Sequence, residues 1–302
     1  MKLVTFKQGN AALPGIWLDD ARILDITAAN QVDPAGVDVS SLVAFIAGGE
    51  STLAAGKRWS ANVDKLSDAI VDAKSVSLLA PIPRPLKNVF CVGRNYIDHV
   101  KEGAEANKIE YNIPKAPQFF TKPPTAVIGP DADVVVPRIV TERLDYEVEL
   151  AVIIGPGGSF IKSENAFAHV FGYTIINDVT GRDLQRLHDQ WFKGKGLDTS
   201  CPMGPWIVTR DEIEDVGGLE LTCTVNGEVR QNAKVAQMIF DIPTLLASLS
   251  AGLTLEPGDI IATGTPSGVG FAMKPPQFLK DGDVVTCTID GIGSLTNRIC
   301  TP

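Results

Sequence analysis

Apolar residues along this chain fall in short, β-branched runs punctuated by glycine and proline, and few stretches hold the 3.6-residue spacing of a long amphipathic helix. The first 80 residues differ from the rest. Strand-like runs at Lys2 to Lys7, Gly15 to Asp19 and Ile23 to Ile26 precede helical patterns around Ser41 to Ile46 and Ala61 to Ala73, which predicts a small N-terminal α/β domain over residues 1–80. Pro81-Ile82-Pro83-Arg84-Pro85 then stiffens the chain in an extended form suited to a connector, so a second domain is expected over residues 81–302. Within it the pattern predicts strands at Val89 to Val92, Phe119 to Thr121, Val134 to Val136, Tyr146 to Ile154, Phe171 to Asn177 and Trp206 to Val208. Further strands are predicted at Leu219 to Val225, Ile260 to Thr263 and Val284 to Ile289. Helix signals between them are few, chiefly Ser163 to Ala168, Arg182 to His188 and Pro243 to Leu249. Too few helices separate the strands for a doubly wound parallel sheet, so the expected class is a mixed, β-rich α+β fold with a sandwich or rolled sheet.

Composition narrows the classes of function. With 44% apolar and 21% charged residues over 302 positions, the chain is globular in composition, not disordered. Its 27 basic residues against 36 acidic ones leave a net charge of −9, so the average surface repels phosphate backbones and anionic lipid, and neither nucleic acid nor a membrane is an expected partner. No apolar run approaches the roughly 18 residues of a membrane span, and the first ten residues lack a signal-peptide core; a cytoplasmic location is expected. Cys91, Cys201, Cys223, Cys287 and Cys300 are odd in number and never spaced C-x-x-C, which suits small, buried, reduced residues.

Three carboxylates stand out. In Leu144-Asp145-Tyr146-Glu147-Val148-Glu149-Leu150-Ala151-Val152, the strand period of two sends Asp145, Glu147 and Glu149 to one face. On an edge strand that face would simply be solvated. Here the run continues into Leu150-Ala151-Val152-Ile153-Ile154, a buried setting in which unpaired carboxylates are costly without a cation. Asp178 ends another apolar strand; alone it reads as an N-cap, but with Glu147 and Glu149 it completes an oxygen set suited to Mg²⁺ or Mn²⁺ and poorly suited to zinc.

Of the three histidines, His99 stands i, i+3 from Glu102, a spacing that on a helical turn lets a carboxylate orient an imidazole as general base and that equally describes a surface pair. His169 and His188 read as structural or surface residues. The polar stretch Gly103 to Asn112 reads as a surface loop or as a lid over bound substrate. Motifs for a serine-nucleophile elbow, a P-loop and a dinucleotide fold are missing. Gly264-Thr265-Pro266-Ser267-Gly268-Val269-Gly270 forms a tight turn or offers N–H groups to an anion, and Gly194-Lys195-Gly196 permits close backbone approach beside one ammonium.

Taken in order, Gly93-x-Asn95-Tyr96-x-x-His99-x-x-Glu102, Lys122-Pro123, Asp145-Tyr146-Glu147-x-Glu149, Asn177-Asp178-x-Thr180-x-Arg182-Asp183-x-Gln185, Trp191-x-x-Gly194-Lys195 and Thr263-Gly264-Thr265-Pro266-x-Gly268-Val269-Gly270 resemble the fumarylacetoacetate hydrolase family over about residues 85–300. The resemblance implies a β-roll catalytic domain, a homodimer, Mg²⁺ or Mn²⁺ on Glu147, Glu149 and Asp178, and a lid carrying His99 and Glu102 as the base dyad. It also implies a substrate pocket with Arg182, Gln185, Thr265 and the catalytic Lys195; Arg94, Tyr96 and Lys122 are assigned to substrate binding alongside them. Val89-Phe90-Cys91-Val92 lacks the extra acid of fumarylacetoacetase proper, which brings the chain nearer the acylpyruvase-like branch.

A small 2-oxo or diketo acid chelating the metal, with His99 activating water and Lys195 stabilising the oxyanion, makes acylpyruvate-type C–C hydrolysis the first expectation. The same site would serve decarboxylation of oxaloacetate-like acids, isomerisation of hydroxy-diacids or dehydration of diketo sugar acids. A non-catalytic carboxylate binder would need neither base nor ligands together.

Overall fold

In the computed structural model, which describes residues 1–302, the central strands are buried along almost their whole length, whereas three C-terminal strands alternate buried with partly exposed positions. The chain opens with β1 (Lys2–Gln8), β2 (Ala11–Asp19) and β3 (Arg22–Asp25). Three helices follow, α1 (Ile26–Val32), α2 (Leu42–Ala47) and α3 (Gly49–Ala61), and then short strands β4 (Ile70–Asp72) and β5 (Ser77–Leu79). Beyond residues 81–88 come β6 (Val89–Gly93), α4 (Ile97–Asn107), β7 (Gln118–Lys122), β8 (Val127–Ile128), β9 (Val134–Val135), β10 (Leu144–Asp145) and β11 (Val148–Ile154). Next are β12 (Val170–Asn177), β13 (Thr180–Gly181), α5 (Arg182–Leu187), α6 (Phe192–Lys195) and β14 (Cys201–Thr209). The last third holds β15 (Glu220–Val225), β16 (Glu228–Lys234), α7 (Ile242–Ser250), β17 (Ile260–Ala262), β18 (Val284–Ile289) and β19 (Gly293–Cys300). No helix is long and apolar enough to cross a membrane.

The expected sheet-rich α+β class is what forms. A 12-stranded sheet runs β4-β3-β2-β1-β14-β12-β11-β17-β6-β7, with β5 on β1 and β8 on β14, and a five-stranded sheet, β16-β15-β18-β19-β9, packs against it. No closed barrel results. The N-terminal strands join the large sheet directly, through Lys2↔Val208 and Leu3↔Ile207.

Strand parity assigns the two faces of the large sheet to two cores. On β11, Leu150, Val152 and Ile154 enter a core shared with Leu221, Val285 and Leu295 of the smaller sheet. Ala151 and Ile153 enter a second core with Leu24, Phe45 and Trp59 from the N-terminal segment. Ile176 of β12 faces this second core, and Phe120 of β7 packs against it. Continuing each strand by two residues along that face arrives at Glu149, Asp178 and Lys122. The chemistry thus grows out of the end of one packed layer.

Some elements differ from expectation. The helix expected over Ala61 to Ala73 lies upstream as α3, where Thr52, Ala55, Gly56 and Trp59 make a buried stripe at helical spacing. Residues 63–75 form single 3₁₀ turns around β4, as the turn-favouring Asp64, Ser67, Asp68 and Asp72 permit. Ser163–His169 is 3₁₀ and not α-helical, and Gly103 to Asn107, read as loop, completes α4. All five cysteines are free thiols, four of them buried.

Candidate active site

The pairing of β11 with β12 sets the carboxylates side by side. Val148 stands opposite Asn177, so the next position along brings Glu147 opposite Asp178, where Asp178 N donates to Glu147 O at 2.8 Å. Asn177 Oδ1 accepts from Glu147 N at 3.0 Å and stiffens the turn-off. One carboxylate oxygen from each of Glu147, Glu149 and Asp178 lies within 4.8 Å of the others, and all three side chains are buried. Asp178 does not cap a helix: the N-cap of α5 is Gly181, with no side-chain cap.

Three buried cations thread this set. Lys195 Nζ lies 2.7 Å from both Glu147 Oε2 and Asp178 Oδ2. Gly194 brings that lysine in, because a Cβ there would stand 2.6 Å from Gln185 N and Gly181 O, so only glycine lets α6 lie this close to α5. Lys122 Nζ donates to Asp178 Oδ1 at 2.7 Å, to Val179 O at 3.0 Å and to Lys195 O. Arg182 pairs through Nε with Asp145 Oδ2 at 2.9 Å, holds Nη2 2.7 Å from Glu147 Oε1, and donates from Nη1 to Gln185 Oε1 at 3.2 Å.

The two glutamates differ as a result. Burial resists ionisation of Glu147, but Lys195 and Arg182 outweigh it and hold the carboxyl at about 2. Glu149 has no cation within ion-pair distance; burial, with the charges of Asp178 and Glu147, pushes it well above the usual carboxylate range. With all four ionised, as a bound cation would keep them, Asp145, Glu147, Glu149 and Asp178 would set four negative charges against the three positive charges of Lys122, Arg182 and Lys195. One buried carboxylate is therefore unbalanced, and it is an all-oxygen set that lacks a positive charge, which fits a hard divalent cation.

The base candidate sits on α4. His99 Nδ1 lies 2.8 Å from Glu102 Oε1, and the two side chains keep 12% and 19% exposure. Glu102 Oε2 accepts from Gly268 N at 2.8 Å. The glycine-rich stretch does bind anions, but they are the chain's own: Gly264 N donates to Glu149 Oε2 at 2.8 Å, and Gly270 N and Phe271 N donate to Asp145 at 2.8 and 3.1 Å.

A cavity of about 390 Å³ opens over this assembly, and His99, Glu147, Glu149, Lys195, Thr265 and Arg94 line it, with Arg182 and Gln185 beside them. Two residues assigned above to substrate do not. Lys122 is fully buried and turned to Asp178, and Tyr96 is buried ahead of α4 with a hydroxyl that finds no hydrogen-bond partner. Burial raises the Tyr96 phenol far beyond its ordinary range. Glu102 and Asp178 are not among the lining residues; they bond to two that are, His99 and Lys195. His169 and His188 lie on the surface, outside the site.

Sequence reasoning missed Gln231, a buried residue of β16. It accepts from Val148 N at 3.0 Å and donates to Thr265 Oγ1 and Pro266 O at 2.8 and 2.9 Å, tying the glutamate strand to the glycine-rich loop. No motif marks it. Asn95, quoted only as part of a motif, holds Phe240 and Thr263 through its amide.

A family model for the fumarylacetoacetate (FAA) hydrolase C-terminal region matches residues 88–300. Oxaloacetate tautomerase YisK of Bacillus subtilis is 46% identical over 305 residues, covering 99% of this chain and 100% of the relative. Among solved structures, the fumarylacetoacetate hydrolase from psychrophilic Exiguobacterium antarcticum superposes with a TM-score of 0.82 at 42% identity, covering 100% of both chains. The maleylpyruvate hydrolase from Sphingobium sp. SYK-6, solved with manganese(II) ion and pyruvate, gives 0.78 at 32% identity over 100% of this chain and 99% of that one.

Proposed function

The chain belongs to the fumarylacetoacetate hydrolase family and is an enzyme of that superfamily, and we propose that it catalyses the keto–enol interconversion of a small 2-oxo dicarboxylate of the oxaloacetate type with a divalent cation. C–C hydrolysis, the first expectation from sequence, moves to second place. One cavity brings a single base dyad over a cation-ready carboxylate set, and that juxtaposition supports the reading. The full-length likeness to a relative named for oxaloacetate tautomerisation favours it further.

Tautomerisation moves one proton between carbon and oxygen, breaks no bond between heavy atoms and needs no aimed water. His99 suits that task. Its Nδ1 is held by Glu102, which is itself held by Gly268 N–H, so Nε2 is left to take the proton at one atom and return it at the other. Lys195 has three donors and gives two to Glu147 and Asp178, leaving one for a substrate oxygen. Thr265 Oγ1 is fixed between Val148 O and Gln231, so it limits how a substrate sits and does not swing with it. Glu147, Glu149 and Asp178 would hold Mg²⁺ or Mn²⁺, which when bound supplies a Lewis acid for the oxygens of a 2-oxo acid and stabilises enolate charge.

The test follows the ultraviolet absorbance of enol-oxaloacetate as it ketonises. With Mg²⁺ or Mn²⁺ the protein is expected to accelerate the decay without releasing CO₂, and His99→Ala is expected to lose about 10²- to 10⁴-fold in rate. Hydrolysis keeps support from the likeness to the maleylpyruvate hydrolase. Pyruvate released from an acylpyruvate faster than the enol decays would put hydrolysis first.

A further inference from the structure

Four cationic side chains line the cavity: Arg94, Arg182, Arg186 and Lys195. Arg182 and Lys195 are committed to buried carboxylates. Arg186 is exposed, makes no ion pair, and has one side-chain hydrogen bond, from Nη2 to Asn107 Oδ1 at 2.7 Å. We propose that Arg186 is the specificity-determining residue that receives the second carboxylate of a dicarboxylate substrate, an inference that rests on the 2-oxo-acid reading of the cavity.

Charge counting asks for such a group. With its four carboxylates ionised the buried cluster is short of one positive charge, so a divalent cation there leaves a single positive charge for the 2-oxo-acid end of the substrate. A second carboxylate entering the cavity finds no surplus in the cluster, and a chain of net charge −9 offers no help at long range. Its partner must be local and uncommitted.

Position points to the same residue. Arg186 follows Arg182 by one turn of α5, and both guanidinium groups lie against the Phe271 ring, 4.6 Å (Arg182) and 5.8 Å (Arg186) from its centroid. Arg182, itself buried, pairs with Glu147. Arg186 stands one turn further along, where a substrate anchored at the carboxylate set would present its far end. Its partner Asn107 closes α4, the helix that carries His99, so the group that reads the far carboxylate sits at the end of that helix away from the base. Arg94 is the competing reader, but its Nη2 donates to the main-chain carbonyl of Asn112 at 2.6 Å from a backbone at φ 57°, which fits a strut for the 108–113 segment.

The experiment compares binding of dimethyloxaloacetate, which cannot enolise, with that of trimethylpyruvate, which carries a methyl where the second carboxylate would be. Dissociation constants are read with Mg²⁺ present from tryptophan fluorescence, Trp191 being a cavity residue. Wild type is expected to prefer the diacid, and Arg186→Gln to lower that preference about 10- to 100-fold, the range of a charge-assisted hydrogen bond, by weakening diacid binding alone. Arg186→Lys should recover part of it, and KM for enol-oxaloacetate should rise with kcat little changed. Arg186→Gln with the wild-type preference intact, or a preference lost only in Arg94→Gln, overturns the assignment. Failure of the 2-oxo-acid reading itself would look different: the wild-type protein would bind neither compound and leave enol decay unchanged.

Discussion

Glu147 and Glu149 stand two residues apart on the same sheet face and keep different electrostatic company. Glu147 is the counterion of both Lys195 and Arg182, whereas Glu149 is held only by Gly264 N–H. Their amide variants should therefore separate stability from cation binding. Glu147→Gln leaves two buried cations short of a partner and is expected to destabilise the protein by about 3–5 kcal/mol, the cost of breaking a buried pair. Glu149→Gln strands nothing and is expected to change cation-free stability by less than about 1 kcal/mol. Both should abolish the rise in Tm that Mn²⁺ gives the wild type, because each removes a ligand. Differential scanning fluorimetry with chelator and with Mn²⁺ checks this, and equal destabilisation by the two variants would contradict the charge assignment. Glu147 and Glu149 were legible because strand parity and an uninterrupted apolar run mark them locally, and Asp178 because it ends a second apolar strand and gains meaning beside them. Lys122 was not readable in its actual role, since its partner Asp178 lies 56 residues further along and only the folded sheet brings them together.

The loop that follows β17 works as a frame for three separate elements. Its N–H groups hold Glu149 on β11, Glu102 on α4 and Asp145 on β10, so one backbone conformation sets the spacing between the carboxylate set, the base dyad and Arg182. From sequence the stretch was readable as a source of N–H donors; that its anions are internal was not, because each acceptor comes from a distant element. Gly268 tests the frame. Its φ is +104°, and a Cβ would lie 2.0 Å from Arg230 O, so Gly268→Ala must shift the backbone that holds Glu102. The variant is expected to lose more than about tenfold in kcat while keeping the Mn²⁺-induced rise in Tm, since Gly264 and the three carboxylates lie outside the clash. Unchanged kcat with a lost Mn²⁺ response would reverse the assignment of roles within the loop. Other elements were harder to read for a simpler reason: α3 starts within Gly48-Gly49, a pair that breaks the local pattern, and its stripe becomes a helix face only because Trp59 and Ala55 find the sheet.

The carboxylates extend the same face of the large sheet that the N-terminal segment covers. Leu24, Phe45 and Trp59 from that segment share one core with Ala151 and Ile153 of β11 and Ile176 of β12, the strands that lead directly to Glu149 and Asp178. β1 is hydrogen-bonded to β14, and β14 to β12, so the backbone is as continuous as the core. A sequence boundary near the proline-rich connector is visible as a change of pattern, yet pattern alone carries no information about which face a segment packs on. Packing of this kind makes folding of the two parts one event. Phe45 is fully buried, and Phe45→Ala should cost about 3–5 kcal/mol through lost burial and a residual cavity. The expected result in urea is a single transition in which near-ultraviolet circular dichroism and catalytic activity disappear together, and in which Phe45→Ala moves both to lower urea by the same amount although it lies far in sequence from every site residue. If the variant instead lost an early transition while activity survived to the wild-type midpoint, the N-terminal segment would be an independently folding appendage and the shared core would contribute nothing to the site.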